Sequence, residues 1–188
     1  MRALRPSLCV VLAVLAHPAA ADPQAAISKL TIRVDSNRAL VSFQLDHAFD
    51  QRFIERVQND LPTSFTYRLE LLKDRKRWYD RALENTTLQL AAMYDAISRE
   101  YLVNTKLGGK LVDSRTFTDL AALERALTRI EGLPAFTLDD LPRSWRLLVR
   151  VQAEVGPRMI LSFIPARDST EWAESNKFRS FNDLPDRP

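Results

Sequence analysis

The chain has 188 residues, of which 46% are hydrophobic, so it is long enough to form one domain with a sizeable core and no stabilising crosslinks. Its formal net charge of +3 is too small to give the basic surface that nucleic acids select, and we expect no nucleic-acid partner. Its four glycines have no spacing that makes a phosphate-binding loop or a dinucleotide fingerprint, which argues against nucleotide-dependent catalysis.

The first 21 residues have the layout of a cleavable signal peptide. Arg2 and Arg5 give a positive start, an apolar run follows over residues 8–16, and small residues end the segment at Ala21, which is the order that export signals share. The apolar run is shorter than the roughly 20 residues that a membrane-spanning helix needs. We therefore expect cleavage after Ala21 and export to the periplasm or beyond.

Removing this leader also removes chemistry from the chain. It contains the single cysteine, one of the two histidines and two of the 27 basic residues, whereas all 24 acidic residues lie after it. The mature domain therefore has a formal charge near +1, no thiol, and His47 as its one histidine. Common zinc sites need several His or Cys ligands, so we expect no metal, no cofactor and no disulfide.

The mature chain opens with the pattern of a β-hairpin followed by a short helix. Apolar residues alternate with polar ones over 30–34 and again over 41–45, and residues 35–37 supply turn chemistry between them. From Asp50 the apolar spacing becomes that of a helix, which we expect Asp50 to cap and Pro62 to end.

Further alternating stretches predict a meander of antiparallel strands. They cover residues 65–71, 88–94, 101–103 and 111–117. Turn residues separate the later members at 95–98 and at Gly108-Gly109.

The clearest helical pattern follows this meander. Apolar residues recur at three and four positions from Leu120 to Ile130, which predicts a helix capped by Thr118 and stopped by Gly132 and Pro134. The residues after it are expected to form a loop.

The longest alternation in the chain covers residues 145–155. Gly156-Pro157 then predicts a turn into a closing strand over 159–163. From Pro165 the composition is polar, and we expect a loosely held tail.

Alternating strands broken by two helices, with no βαβ rhythm, predict an α+β fold. We expect a mainly antiparallel β-sheet curled into a sandwich or half-barrel with two short helices. The predicted organisation is a signal peptide over 1–21, a single domain over 22–165 and a polar tail over 166–188.

The strongest candidate surface is a basic and aromatic segment over residues 73–81, on the expected connection between two strands. Cations beside large aromatic side chains suit an anionic protein partner or a peripheral membrane contact, although such runs are also common on ordinary solvated hairpin tips. The candidate partner-binding residues are Arg75, Lys76, Arg77, Trp78, Tyr79 and Arg81.

Catalytic candidates are few. A serine-histidine relay would have to use His47, and no serine nucleophile elbow is present. Asp46 and Asp50 flank His47 and could form an acid-histidine cluster, but ordinary capping and turn solvation explain them better. We assign no catalytic residue.

Four features follow one another along the chain: Arg77-Trp78-Tyr79-Asp80, the segment from Tyr94 to Tyr101, the helix from Leu120 to Gly132 and the late aromatics from Trp172 to Phe181. In this order they resemble a bacterial exported family known as domain of unknown function forty-three ninety. It implies an envelope protein without an assigned activity, and association with a membrane sensor kinase. It supplies no functional residues.

Three functions follow from the sequence. The first is a non-enzymatic envelope module that binds a protein partner through residues 73–81. The second is a periplasmic carrier that holds an apolar small molecule or lipid between sheet and helices. The third is a hydrolase that uses acids around His47, which would require a polar cleft.

Overall fold

The computed structural model describes residues 24–180 apart from 60, 62, 76–79 and 161–163. The signal peptide, with its expected cleavage after Ala21, lies outside the described residues. The helices are Gln51–Gln58 (α1) and Leu120–Thr128 (α2). The strands are Ala26–Asp35 (β1), Arg38–Asp46 (β2), Thr63–Lys73 (β3), Arg81–Asp95 (β4), Glu100–Leu107 (β5), Lys110–Phe117 (β6), Arg129–Thr137 (β7), Arg146–Ile160 (β8), Ile164–Ser169 (β9), Ala173–Glu174 (β10) and Phe178–Arg179 (β11).

Two antiparallel sheets make up the fold. The larger has the order β10-β8-β3-β4-β5-β6, with β9 and β11 also paired to β8, and the smaller has the order β1-β2-β7. The predicted hairpin is β1–β2 and the predicted meander is β3–β4–β5–β6. The larger sheet curls into a half-barrel and the helices are short, so the predicted α+β class is confirmed.

The core lies between the inner faces of the two sheets. Strict alternation along β3 points Phe65, Tyr67 and Leu69 inward, where each is completely buried. The ring of Phe43 on β2 meets the ring of Tyr67 with centroids 4.9 Å apart. Each buried side chain of this size contributes about 1.5–3 kcal/mol, so this pairing of faces holds the smaller sheet against the half-barrel.

Helix α2 is fixed to the core by one buried hydrogen bond. The hydroxyl of Tyr67 donates to the backbone oxygen of Leu127 at 2.6 Å, and burial raises the pKa of Tyr67. Leu123 and Leu127 are completely buried beside it. The apolar stripe read from the sequence is therefore the face that packs.

Both predicted boundaries of this helix are wrong. Asp119, rather than Thr118, caps α2 by accepting from the backbone N–H of Ala122 at 2.7 Å, and the chain enters β7 directly after Thr128. Gly132 and Pro134 lie within that strand, which pairs with β2. The reason is tertiary, because pairing with β2 overrides the helical spacing of Ile130.

The predicted end of the sheet also differs from the structure. Gly156-Pro157 is not a turn but lies within β8, at a register shift against β9. Strand β9 crosses position 165, and β10 and β11 follow it along β8, so the chain between 164 and 180 is paired with the sheet instead of loosely held. The polar composition hides this, because few apolar side chains hold the segment. It is held by backbone pairing and two hydroxyls, by the ion pair of Lys177 with Asp74, and by Trp172 and Phe178.

Candidate functional site

The half-barrel has one open side, between β6 and β7. Within the described residues, β6 pairs only with β5 and β7 pairs only with β2. Helix α2 connects the two strands along the chain. A groove of about 860 Å³ lies between them.

The floor of the groove is apolar. It is formed by Leu88 and Leu90 on β4 and Val103 on β5, which alternate with outward-facing polar residues. Phe117 on β6 and Leu133 on β7 continue the apolar surface up the two walls. Leu88, Leu90 and Val103 are buried, at 1–4% exposure, so this floor is the edge of the core, and the apolar surface that solvent reaches lies on the half-buried Phe117 and Leu133.

The two walls meet the groove in different ways. Strand β6 contributes alternate residues, Asp113, Arg115 and Phe117, which share its inner face. Strand β7 contributes the consecutive residues 129–134. Because successive side chains of a strand point to opposite faces, a continuous run shows that the edge of β7, with its backbone groups, borders the groove.

The walls carry an excess of positive charge. Arg115 Nε lies 2.7 Å from Asp113 Oδ2, and Arg129 Nε lies 2.7 Å from Glu131 Oε1. Arg125, exposed in the last turn of α2, makes no ion pair in the described part of the chain. Three arginines therefore face two acids. Both ion pairs are solvent-exposed, so each is worth only about 0–1 kcal/mol and exchanges easily for another partner.

The candidate surface predicted from the sequence lies elsewhere. Arg75 and Arg81 are exposed at the two ends of the β3–β4 connection and do not line the groove. The other candidates, Lys76, Arg77, Trp78 and Tyr79, lie outside the described residues.

The base of this connection is tightly held. The backbone N–H of Arg75 donates to Asp80 Oδ1 at 3.0 Å. Lys73 Nζ lies 3.5 Å from the centre of a ring of Trp145. Asp74, whose side chain is 7% exposed, pairs with Lys177 at 2.9 Å. These contacts attach both ends of the connection to the sheet.

The acid-histidine cluster is not assembled by the fold. Asp46 accepts from Gln44 Nε2 at 2.9 Å, and Asp50 caps α1 by accepting from the N–H of Phe53 at 2.8 Å. His47 is exposed with a positive φ of 57°. Both acids thus have structural partners. Asp46 and His47 also line a cleft of about 490 Å³ together with Glu124, and Asp50 is not part of its lining. The hydrolase hypothesis stays a prediction.

The described residues contain neither a clustered set of metal ligands nor a helix able to span a membrane. No group of three or more His, Cys, Asp or Glu side chains is arranged to hold a metal ion there. No helix in that part of the chain is long and apolar enough to cross a membrane.

The sequence contained one signal of the groove that the interpretation missed. Asp113 and Arg115 are in phase with Phe117 and so occupy inward positions of β6. Inward-pointing charges are a device of sheet edges. The contributions of Arg125 and Arg129 had no comparable signal, because they depend on where α2 and β7 cross the sheet.

The fold and the groove define an antiparallel half-barrel with one unfilled side. The model of the family described as Domain of unknown function (DUF4390) matches residues 22–157, more than half of the 188-residue chain. The chain therefore belongs to this family, and the predicted resemblance is confirmed. The matched segment contains every residue that lines the groove. Comparison with curated proteins and with solved structures gave no match.

Proposed function

We propose that this protein is an exported, non-enzymatic binding module of the bacterial envelope, and that its groove holds an extended segment of a partner protein. The observation that carries the proposal is the pair of strand edges, β6 and β7, that border one open groove. Unpaired N–H and C=O groups at a sheet edge are already placed to bind another strand.

Export rests on the leader. Its positive start, apolar run and small residues before position 22 follow the order of a signal peptide. The family match begins at residue 22, directly after that segment. The partner that we propose is accordingly a protein of the envelope, and the family resemblance implies a membrane sensor kinase as one such partner.

The walls favour a polypeptide over an apolar small molecule. Sites for apolar ligands enclose most of the ligand surface and are lined mainly by apolar side chains. This groove is open, and Asp113, Arg115, Arg125, Arg129 and Glu131 stand along it. A polypeptide strand suits both its polar walls and its apolar floor. The carrier of a lipid or other apolar molecule is the alternative that the floor alone would support.

The β3–β4 connection is the second contact surface in the proposal. Arg75 and Arg81 are exposed above a base fixed by Asp74 and Trp145. Cations on a rigid base can orient an anionic partner or membrane surface without a large ordering cost.

Site-specific photocrosslinking in the native host tests the groove. Benzoylphenylalanine replaces the exposed Glu131 in the groove, and in a matched control it replaces Met93, which is 44% exposed on the outer face of β4. We expect a protein adduct at 131 that is absent at 93, with the crosslinked partner residues lying in one short extended segment. Equal adducts at both positions, or a lipid adduct alone at 131, would contradict the proposal.

A further inference from the structure

We infer that the partner segment is a β-strand that pairs antiparallel with β6 and points an acidic side chain at the groove arginines. This inference rests on the proposed function and specifies the chemistry of the same groove.

Strand β6 is the better pairing edge. It runs for eight residues, Lys110–Phe117, without proline. Its one register shift against β5 lies between Leu111 and Asp113, so residues 113–117 form a regular stretch. Strand β7 has two register shifts against β2, a left-handed Gly132 with φ of 60° and Pro134, which has no N–H to donate. Bulges and proline are the features that keep a strand edge from pairing, so an incoming strand finds its regular ladder on residues 113–117 of β6.

The apolar contact has a defined position on β6. Phe117 is half-buried on the inner face, opposite Tyr101 on β5 and diagonal to the floor residue Val103. On an antiparallel partner strand, the residue opposite Phe117 has its Cβ about 4.5–5.5 Å away. An apolar side chain is expected there, because it extends the hydrophobic floor.

The acidic contact follows two residues later on the same face. The partner residue opposite Arg115 points into the groove, where Arg125 and Arg129 also stand. Arg125 has no acid of its own among the described residues, and the acids beside Arg115 and Arg129 hold them only in exposed pairs. A basic segment would raise the positive excess, whereas one acidic side chain removes it. The recognised pattern is therefore apolar, any residue, acidic.

Synthetic peptides test this pattern directly on the purified mature chain, residues 22–188. The acidic probe is fluorescein-labelled Thr-Val-Thr-Glu-Thr-Val-Thr-Glu, and the basic probe has Lys for each Glu. Two further probes are acidic peptides with alternate backbone nitrogens methylated, one in each phase. One of the two phases removes the N–H groups that would donate to β6. Binding is measured by fluorescence anisotropy at low and high salt.

We expect the acidic probe to bind about tenfold more tightly than the basic probe at low salt, and methylation in one phase to abolish binding. Arg125→Glu should remove most of the preference, and Arg125→Lys should keep it. Arg33→Glu, an equal charge change on an exposed residue of β1, should leave it intact. High salt should narrow the preference, since the contacts are solvent-exposed.

Different failures have different meanings. If both peptides bind equally and methylation in one phase abolishes binding of the acidic peptide, the groove binds strands but the acidic preference is wrong. If neither peptide binds, or if laurate binds in the groove and the peptides do not, the whole inference is wrong. The adduct at position 131 then decides separately whether the proposed function survives.

Discussion

The two edges of the large sheet are treated in opposite ways. The edge of β8 is covered along its length by β9, β10 and β11, whereas β6 has no partner beyond β5 in the described residues. On β6, Leu111 is 60% and Val112 57% exposed. An uncovered edge invites association. In the proposed function, this open edge is the one that pairs with the partner segment.

The cover on β8 depends on hydroxyls as well as on backbone pairing. The N–H of Thr170 donates to the oxygen of Ala153 at 2.9 Å, and the N–H of Ala153 donates to Thr170 Oγ1 at 3.0 Å. Ser175 makes the same reciprocal pair with Val149, at 2.8 and 3.0 Å. Two side chains thus complete the hydrogen bonding of a strand edge where the covering strands are only two residues long.

The largest expected effect comes from removing the cover. A mature chain that ends at Phe163 loses β9, β10 and β11, together with the partly buried Trp172 and Phe178. We expect a loss of at least about 3 kcal/mol, from roughly 1.5 kcal/mol for each aromatic, and new self-association through β8. Urea unfolding and analytical ultracentrifugation measure both. An unchanged midpoint and an unchanged sedimentation profile would show that the cover is dispensable.

A single hydroxyl on the covered edge should have the next largest effect. Thr170→Val keeps the shape of a side chain that is 7% exposed but leaves the N–H of Ala153 without its acceptor. The expected cost is about 1–3 kcal/mol, read from urea unfolding. Recovery of the full stability by Val at this position would mean that water replaces the hydroxyl.

The free energy of unfolding should fall at high pH because Tyr67 is buried in the core. Burial raises the pKa of Tyr67 in the folded chain above the ordinary 10.0. In the unfolded chain the hydroxyl loses its proton near pH 10. The unfolded state then binds fewer protons, so this contribution is intact below pH 10 and falls by up to about 1.4 kcal/mol per pH unit above it.

Tyr67→Phe isolates that contribution. At pH 8 the variant should be about 1–2 kcal/mol less stable, because the Leu127 oxygen loses its donor. The difference should shrink as pH rises from 10 to 11, in urea unfolding series at each pH. A constant difference across this range would show that Tyr67 titrates alike in both states.

The smallest effect is expected on the open edge. Ser114→Ala removes a hydroxyl that donates to Asn104 Oδ1 at 2.9 Å on exposed β6. Solvent replaces that bond, so the change in unfolding free energy should stay within about 0.5 kcal/mol. Measured in the same urea unfolding assay as Thr170→Val, it compares the stability that a hydroxyl contributes at each of the two edges. Equal losses from both would remove the contrast.

Local patterns account for what the sequence predicted correctly. The β1–β2 hairpin, the meander and the cap at Asp50 depend on residues close together in the chain, and alternation or cap chemistry shows each of them. The fold class followed because period-two patterns dominate the mature chain.

The errors fall where distant segments decide the outcome. Strand β7 has helix-like spacing and becomes a strand only against β2. The polar segment after 165 pairs with β8 through main chain and hydroxyls, and Lys177, Trp172 and Phe178 find partners on distant strands, which composition does not show. The groove needs β6 and β7 to border one space, and no local pattern contains that relation. Export, the partner and the role of residues 73–81 stay predictions.

The hydrogen bond between Tyr67 and Leu127 also affects the groove. Leu127 and Arg125 belong to the same last turn of α2, so the hydroxyl of a buried tyrosine fixes the backbone that carries the uncompensated charge of the groove. That wall is ordered before anything binds. On binding, the partner segment and the Arg125 side chain would then lose conformational entropy, and the backbone of this protein would lose little.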